Sequence, residues 1–150
     1  MYERIAVAVD GSEVSTAALN EAIKLAGVTH ATLLLLHVCE EMPMVWNIEG
    51  MASMPMEDVS QAFAAAGKQL LLKDKARAED SGISRVEIRL VEDYSGRIGA
   101  VIGAEAKIWS ADLLVVGSHG RKGLDHLLMG SVAESVVRTA SMPVLLVRGK

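Results

Sequence analysis

Five short aliphatic runs, separated by stretches with helical period, constrain this chain more than any other feature. The runs are "RIAVAVD" (4–10), "TLLLLHVC" (32–39), "RVEIRLV" (85–91), "DLLVVG" (112–117) and "VLLVR" (144–148). "TLLLLHVC" lacks polar alternation, the mark of a strand covered on both faces in a parallel sheet. "RVEIRLV" alternates and reads as a strand with one more exposed face, at a sheet edge. Between the runs, apolar residues recur at helical spacing. Ala18, Leu19, Ala22, Ile23 and Ala26 form one stripe, with Gly27 placed as its stop. Val59, Ala62, Phe63, Ala66 and Leu70 form a second, within a helix expected over about 57–81. Ile98, Val101, Ile102 and Trp109 mark a third, and Val132, Ala133, Val136, Val137 and Ala140 a fourth that Pro143 ends. The strict strand–helix alternation predicts an α/β fold: one doubly wound, mostly parallel sheet with helices on both faces. Such sheets bind ligands beyond the carboxyl ends of their strands, at the switch point. Two strand ends stand out there, Asp10-Gly11-Ser12 and Gly117-Ser118-His119-Gly120.

A chain of 150 residues is expected to form one domain, residues 1–150, and to bury a core without metal or disulfide staples. Aromatics are 3% of the residues, so that core must be aliphatic. The net charge of -4, with no basic run interleaved with aromatics, argues against nucleic acid as partner. No apolar run approaches the roughly 18 residues of a membrane span, and the first residues lack the pattern of a signal peptide. Cys39 is the only cysteine, which excludes an intrachain disulfide and fits a reducing cytoplasm. His30, His37 and His126 lack metal-ligand spacing, and Cys39 reads as a small core residue.

The loop between the fourth strand and the last helix carries the chemistry. Gly117 and Gly120 are candidates for positive φ and for close approach of a ligand to bare peptide groups. Gly130 repeats this at the mouth of the last helix. Ser131 and Glu134 have the spacing of a capping box. A helix N-terminus offers unpaired N–H groups and about half a positive charge, so it suits phosphate. Arg121 and Lys122 add charge to the rim. The sequence contains neither G-x-x-x-x-G-K-[ST] nor G-x-G-x-x-G, so a P-loop and the dinucleotide fingerprint are excluded. Asp10 has two readings, a ribose ligand or a turn residue in "DGS", and Ser12 reads as the N-cap of the first helix. His119 would either donate to phosphate or lie in solvent.

The spacing G-x2-G-x9-G-[ST], present as Gly117, Gly120, Gly130 and Ser131, resembles the ATP-binding signature of the universal stress protein family. "AVAVDGSEVSTAALNEAIKLA", "LLLLHV" and "ADLLVVGSHGRKGLDHLLMGSVAESVVRTASMPVLLV" extend the resemblance over nearly the whole chain. It implies a Rossmann-like sheet of five parallel strands in the order 3-2-1-4-5. On the matching positions Asp10 would bond the ribose hydroxyls, with Ala8 and Val9 lining the pocket. Val38 would meet adenine through its backbone. Gly117, Ser118, His119, Gly120 and Arg121 would wrap ribose and phosphates, and Gly130, Ser131 and Val132 would hold the terminal phosphates. The ligand implied is ATP, with ADP or AMP as alternatives, and Mg2+ or Mn2+ bound through the phosphates. One departure is Gly96-Arg97-Ile98, where the family often carries Gly-Asp-Pro.

Three functions follow as expectations: a cytoplasmic regulatory ATP-binding module in stress response, a slow ATPase or phosphotransferase at the same site, or a nucleotide-independent dimeric scaffold. Hydrolysis needs a group to position water, and Asp125 is the nearest carboxylate in the loop. Residues 144–148 form an apolar edge strand, which predicts a homodimer paired through it or a cover from residues 40–56. That segment, "EEMPMVWNIEGMASMPM", reads as an adaptable connection, with a nucleotide lid second and a copper site last. A protein partner is expected but not identified.

Overall fold

The computed structural model describes residues 1–39, 55–119 and 129–149. Its elements alternate along the chain: β1 (Arg4–Ala8), α1 (Glu13–Thr29), β2 (Thr32–Cys39), α2 (Met56–Asp80), β3 (Val86–Glu92), α3 (Ile98–Ile108), β4 (Leu113–Gly117), α4 (Ser131–Thr139) and β5 (Val144–Val147). The five strands form one parallel sheet in the order β3-β2-β1-β4-β5. The strand pattern read from the sequence is therefore the observed one, and β2 has the expected bounds.

Side-chain parity divides the core into two layers. Ile5, Val7, Leu33, Leu35, Leu113 and Val115 point to one face, where Ala18, Leu19, Ala22 and Ala26 of α1 and Leu71 and Ala78 of α2 cover them. Ala6, Leu34, Leu36, Leu114 and Val116 point to the other, under Ile102 and Ala106 of α3 and Val136 of α4. The change of face lies between β1 and β4, whose paired residues include Val7 and Val115. This is the switch point.

Three helix expectations need correction. α1 does not stop at Gly27: it continues to Thr29 and ends at His30 in the left-handed region, φ 57°. Gly27 has φ in the ordinary range and costs α1 little near its end. In α2, Ala62 and Ala66 are exposed. The buried line is Val59, Gly67, Leu71 and Ala78, set by the His37 ring that lies against Gly67. Val137 of α4 is 49% exposed, although it falls on the expected stripe. α4 presents a narrow edge, Ala133 and Val136, because α3 covers part of the same face.

That α3–α4 contact depends on a glycine, Gly99. A Cβ on Gly99 would lie 2.5 Å from Ser135 Cβ and 2.8 Å from the Val132 carbonyl oxygen, so the helices could not approach as they do. Gly103, one turn on, faces Thr139 and Ala140.

Candidate functional site

Beyond β1 the chain turns sharply into α1. Asp10 Oδ1 accepts from the Ser12 N–H at 2.9 Å, and Gly11 takes φ 82°, a conformation that strongly favours glycine. Ser12 is the N-cap of α1, its hydroxyl accepting from Ser15 N–H at 3.2 Å. Asp10 is thus a turn residue, as one of its two readings had it. A carboxylate has several lone-pair positions, so this does not remove its capacity to accept from a sugar hydroxyl. Strand β1 ends at Ala8, not Asp10, yet Val9 stays tied to β2: its N–H donates to Leu36 C=O at 2.9 Å.

β4 ends beside this turn. Asp10 and Ser118 each lie three residues beyond the paired Val7 and Val115. Ser118 is 8% exposed; its N–H donates to Val147 C=O at 2.8 Å and its C=O accepts from Gly130 N–H at 2.7 Å. The mouth of α4 is thereby anchored on the end of β4. The first helical bond of α4 runs from Glu134 N–H to Gly130 C=O, so the amides of Ser131, Val132 and Ala133 precede the hydrogen-bonded ladder.

Here the capping-box expectation fails. The N-cap is Gly130, at φ -64° and ψ 157°, with no side-chain cap, and Ser131 is already the first helical residue. Its exposed hydroxyl sits one position too late to reach back over the first turn. Glu134 pairs instead with Arg138 along the helix.

The glycines also act differently from the expectation. Gly117 is a strand residue, without positive φ. A Cβ there would lie 2.7 Å from Val14 Cγ1, and one on Gly149 would lie 2.8 Å from Val14 Cγ2. Val14 is therefore wedged between the end of β4 and the chain after β5, locking the first turn of α1 in place. A Cβ on Gly130 would lie 3.0 Å from His119 Cα and 3.3 Å from Ser118 O. Close backbone approach is required at both positions, but protein atoms make it. His119 is half-buried, with Nδ1 2.9 Å from Ser118 Oγ and its ring facing Gly149.

Ala8 and Val38 lie on the face covered by α3 and α4, both half-buried, with Val38 paired to Val91 of β3. Cys39 closes β2 as a buried residue. Gly120 and Arg121 lie outside the described residues, as do Lys122, Asp125, His126 and the methionine-rich residues 40–54. Where a third helix with Asp-Pro was the family pattern, Arg97 is the N-cap of α3 and supplies no side-chain cap. The Asp93–Ser95 turn precedes it, and the Ser95 bonds hold the exposed Asp93 carboxyl below its ordinary pKa.

The donor set fits a nucleoside phosphate. Main-chain amides and a hydroxyl stand at the positive end of α4, and a carboxylate stands at the end of the adjacent strand. Sequence reasoning missed two residues that shape this end of the sheet, Val14 and His37. Their signal was confined to spacing against distant glycines, which only the fold brings together.

A parallel sheet in this order, with its change of face at the β1/β4 switch point, is a Rossmann-like fold. The model of the universal stress protein family matches residues 1–148, and the chain belongs to that family. Universal stress protein MJ0531 of Methanocaldococcus jannaschii is 34% identical over 149 residues, covering 99% of this chain and 83% of the relative. The solved structure of hypothetical protein MJ0577 superposes with a TM-score of 0.82 at 27% identity, over 100% of this chain and 98% of that one. A universal stress protein from Archaeoglobus fulgidus, in complex with dAMP, shares the fold with a TM-score of 0.65 at 23% identity, over 97% and 98% of the two chains.

Proposed function

We propose that this protein is a regulatory adenine-nucleotide-binding module in stress response, with ATP held at the β1/β4 switch point. The observation that carries the reading is the adjacency of strand ends: Asp10 follows β1, β1 pairs with β4, and the mouth of α4 is anchored on Ser118 just beyond β4, with Gly130 supplying no side-chain cap. Asp10 would accept from the ribose hydroxyls. Gly130, Ser131 and Val132 would present N–H groups and the Ser131 hydroxyl to the phosphates. Ala8, Val9 and Val38 would line the base and sugar, and the loop of Gly117, Ser118, His119, Gly120 and Arg121 would close over them. A divalent cation, Mg2+ or Mn2+, would enter with the phosphates and neutralise their charge. The dAMP complex of a protein of the same fold supports the ligand class. Occupancy would shift a partner equilibrium.

The module would act as a single domain in the cytoplasm, to which a lone buried cysteine is suited. Among the described residues no helix is long and apolar enough to cross a membrane. Among the described residues β5 pairs only with β4, and pairing of its outer edge with a second copy would give the proposed homodimer. One observation favours a second reading, a nucleotide-independent scaffold: Gly117 and Gly130 have packing reasons of their own.

Calorimetric titration with ATP, ADP, AMP and GTP, with and without magnesium, separates the two. The module predicts saturable ATP binding, with GTP roughly tenfold weaker or worse. Silence with every nucleotide, and no thermal shift, leaves the scaffold.

A further inference from the structure

A single peptide plane at the candidate site is held at both ends by side chains. The Val9 carbonyl accepts from His37 Nδ1 at 2.7 Å, and the Asp10 N–H of the same peptide unit donates to Ser15 Oγ at 2.9 Å. A carbonyl oxygen only accepts, so His37 carries a proton on Nδ1. Ser15 is 6% exposed, in the first turn of α1. His37 lies near the end of β2, and its ring enters a notch in α2. A Cβ on Gly67 would be 2.7 Å from His37 Cδ2, 2.9 Å from Leu90 Cδ1 and 3.2 Å from His37 Nε2. The absent side chain at Gly67 thus makes room for the ring, and the ring reaches across to the peptide that launches Asp10.

β1 has ended at Ala8; the Val9 N–H still bonds β2, but the Val9–Asp10 peptide itself is bonded by side chains at both its carbonyl and its N–H. Those two bonds act beside the Ser12 N–H bond to Asp10 Oδ1 in setting where the carboxylate points. We propose that His37 is a positioning residue: with Ser15 it fixes the Val9–Asp10 peptide, and so aims the Asp10 carboxylate at the sugar hydroxyls of a bound nucleotide. The inference rests on the ribose reading of Asp10 given above. It makes ribose recognition depend on α2, through Gly67, although α2 supplies no ligand.

The test compares ATP with 2′,3′-dideoxy-ATP, which lacks both hydroxyls, by calorimetry on the full chain. Wild type is expected to prefer ATP by about tenfold, the value of one well-placed hydrogen bond to a charged group. His37→Leu, which keeps bulk but removes the donor, is expected to lose that preference while still binding the dideoxy compound like wild type. His37→Asn, whose amide can present an N–H from nearly the same place, is expected to restore most of it. A purely structural role would lower both affinities together and would show no such rescue. Gly67→Ala is an independent route that leaves every site residue intact; by displacing the ring it is expected to erase the preference too. A folded His37→Leu that keeps the full preference overturns the inference and leaves the ribose reading standing. A wild type that does not distinguish the two compounds overturns the ribose reading, and the inference with it.

Discussion

α1 and α4 start side by side, on the neighbouring strands that flank the switch point, and they begin in opposite ways. α1 is closed by its own sequence: Ser12 caps it, Asp10 accepts from the cap residue's N–H, and Ser15 ties the first turn back to Asp10. α4 is opened by Gly130, which supplies no side-chain cap, and its first residue, Ser131, is exposed. The N-cap residues of α2 and α3, Pro55 and Arg97, also make no side-chain cap, but these helices follow β2 and the edge strand β3, away from the β1/β4 switch point. The difference teaches that one helix start is a joint finished by its own side chains, while the N-cap of its neighbour leaves the first-turn amides without a side-chain cap among the described residues, at a place where the fold favours ligands.

The sharpest way to break the contrast is Gly130→Val. Its Cβ would press on His119 and Ser118, so nucleotide affinity should fall on the order of a hundredfold. Stability should fall by about 1–3 kcal/mol as well. Calorimetry and thermal melting together check this, and an unchanged affinity would mean that the mouth of α4 is not the site. Gly117→Ala sharpens the closed side. It would set a Cβ 2.7 Å from Val14 Cγ1 and should cost about 1–3 kcal/mol, much of it recovered in the double variant Gly117→Ala with Val14→Ala. Additive losses in chemical denaturation would refute the wedge.

The two serines form the next pair. Ser12→Ala should cost about 1 kcal/mol of stability through the lost cap. Ser131→Ala should cost about 0.5 kcal/mol or less, yet weaken ATP binding by roughly tenfold. Equal stability losses would erase the distinction between the helix starts. The smallest effect belongs to Asp74, on α2 and away from both starts. Burial pushes its carboxyl pKa up from 3.8, against the opposing pull of Arg77, Lys73 and His37. The folded state therefore holds the proton more tightly than the unfolded one. Its favourable contribution is complete below pH 3.8 and is lost as pH rises through the raised value. Asp74→Asn should accordingly stabilise the protein slightly at pH 7, with the gain vanishing in acid. A gain that grows toward low pH in pH-resolved denaturation would reverse the sign.

Much of this architecture was legible before the structure, because strands buried on both faces leave continuous aliphatic runs. "TLLLLHVC" shows its own limits, and "RVEIRLV" shows its edge position by alternating. Local chemistry was legible where it is local, as in the "DGS" turn and the Ser12 cap. It failed where long-range contacts decide. Ser131 has the spacing of a capping box, but the anchoring of Gly130 on Ser118 starts the helix one residue early. Gly27 resembles a stop, yet His30 takes the left-handed conformation instead. The stripe of α2 shifts because Gly67 must face His37, thirty residues earlier in the chain. The glycines of the signature read as room for a ligand; Val14 also packs against Gly117, and the backbone of His119 and Ser118 against Gly130.

The opposite end of the sheet has a different character. There the Asp112 carboxylate accepts from the amides of Glu3 and Arg4, and Arg4 lies over the Trp109 ring and donates to its carbonyl. Trp109 in turn donates to Glu87 at 2.9 Å. Each polar group named there is answered from within the chain, which marks that end as structural.

A crystal structure of the protein grown with ATP and magnesium tests the central claim most directly. Triphosphate density against the amides of Ser131 and Val132, with the ribose hydroxyls on Asp10, is the predicted result. Nucleotide bound at any other place, or a switch-point crevice that stays empty at saturating ATP, would contradict it.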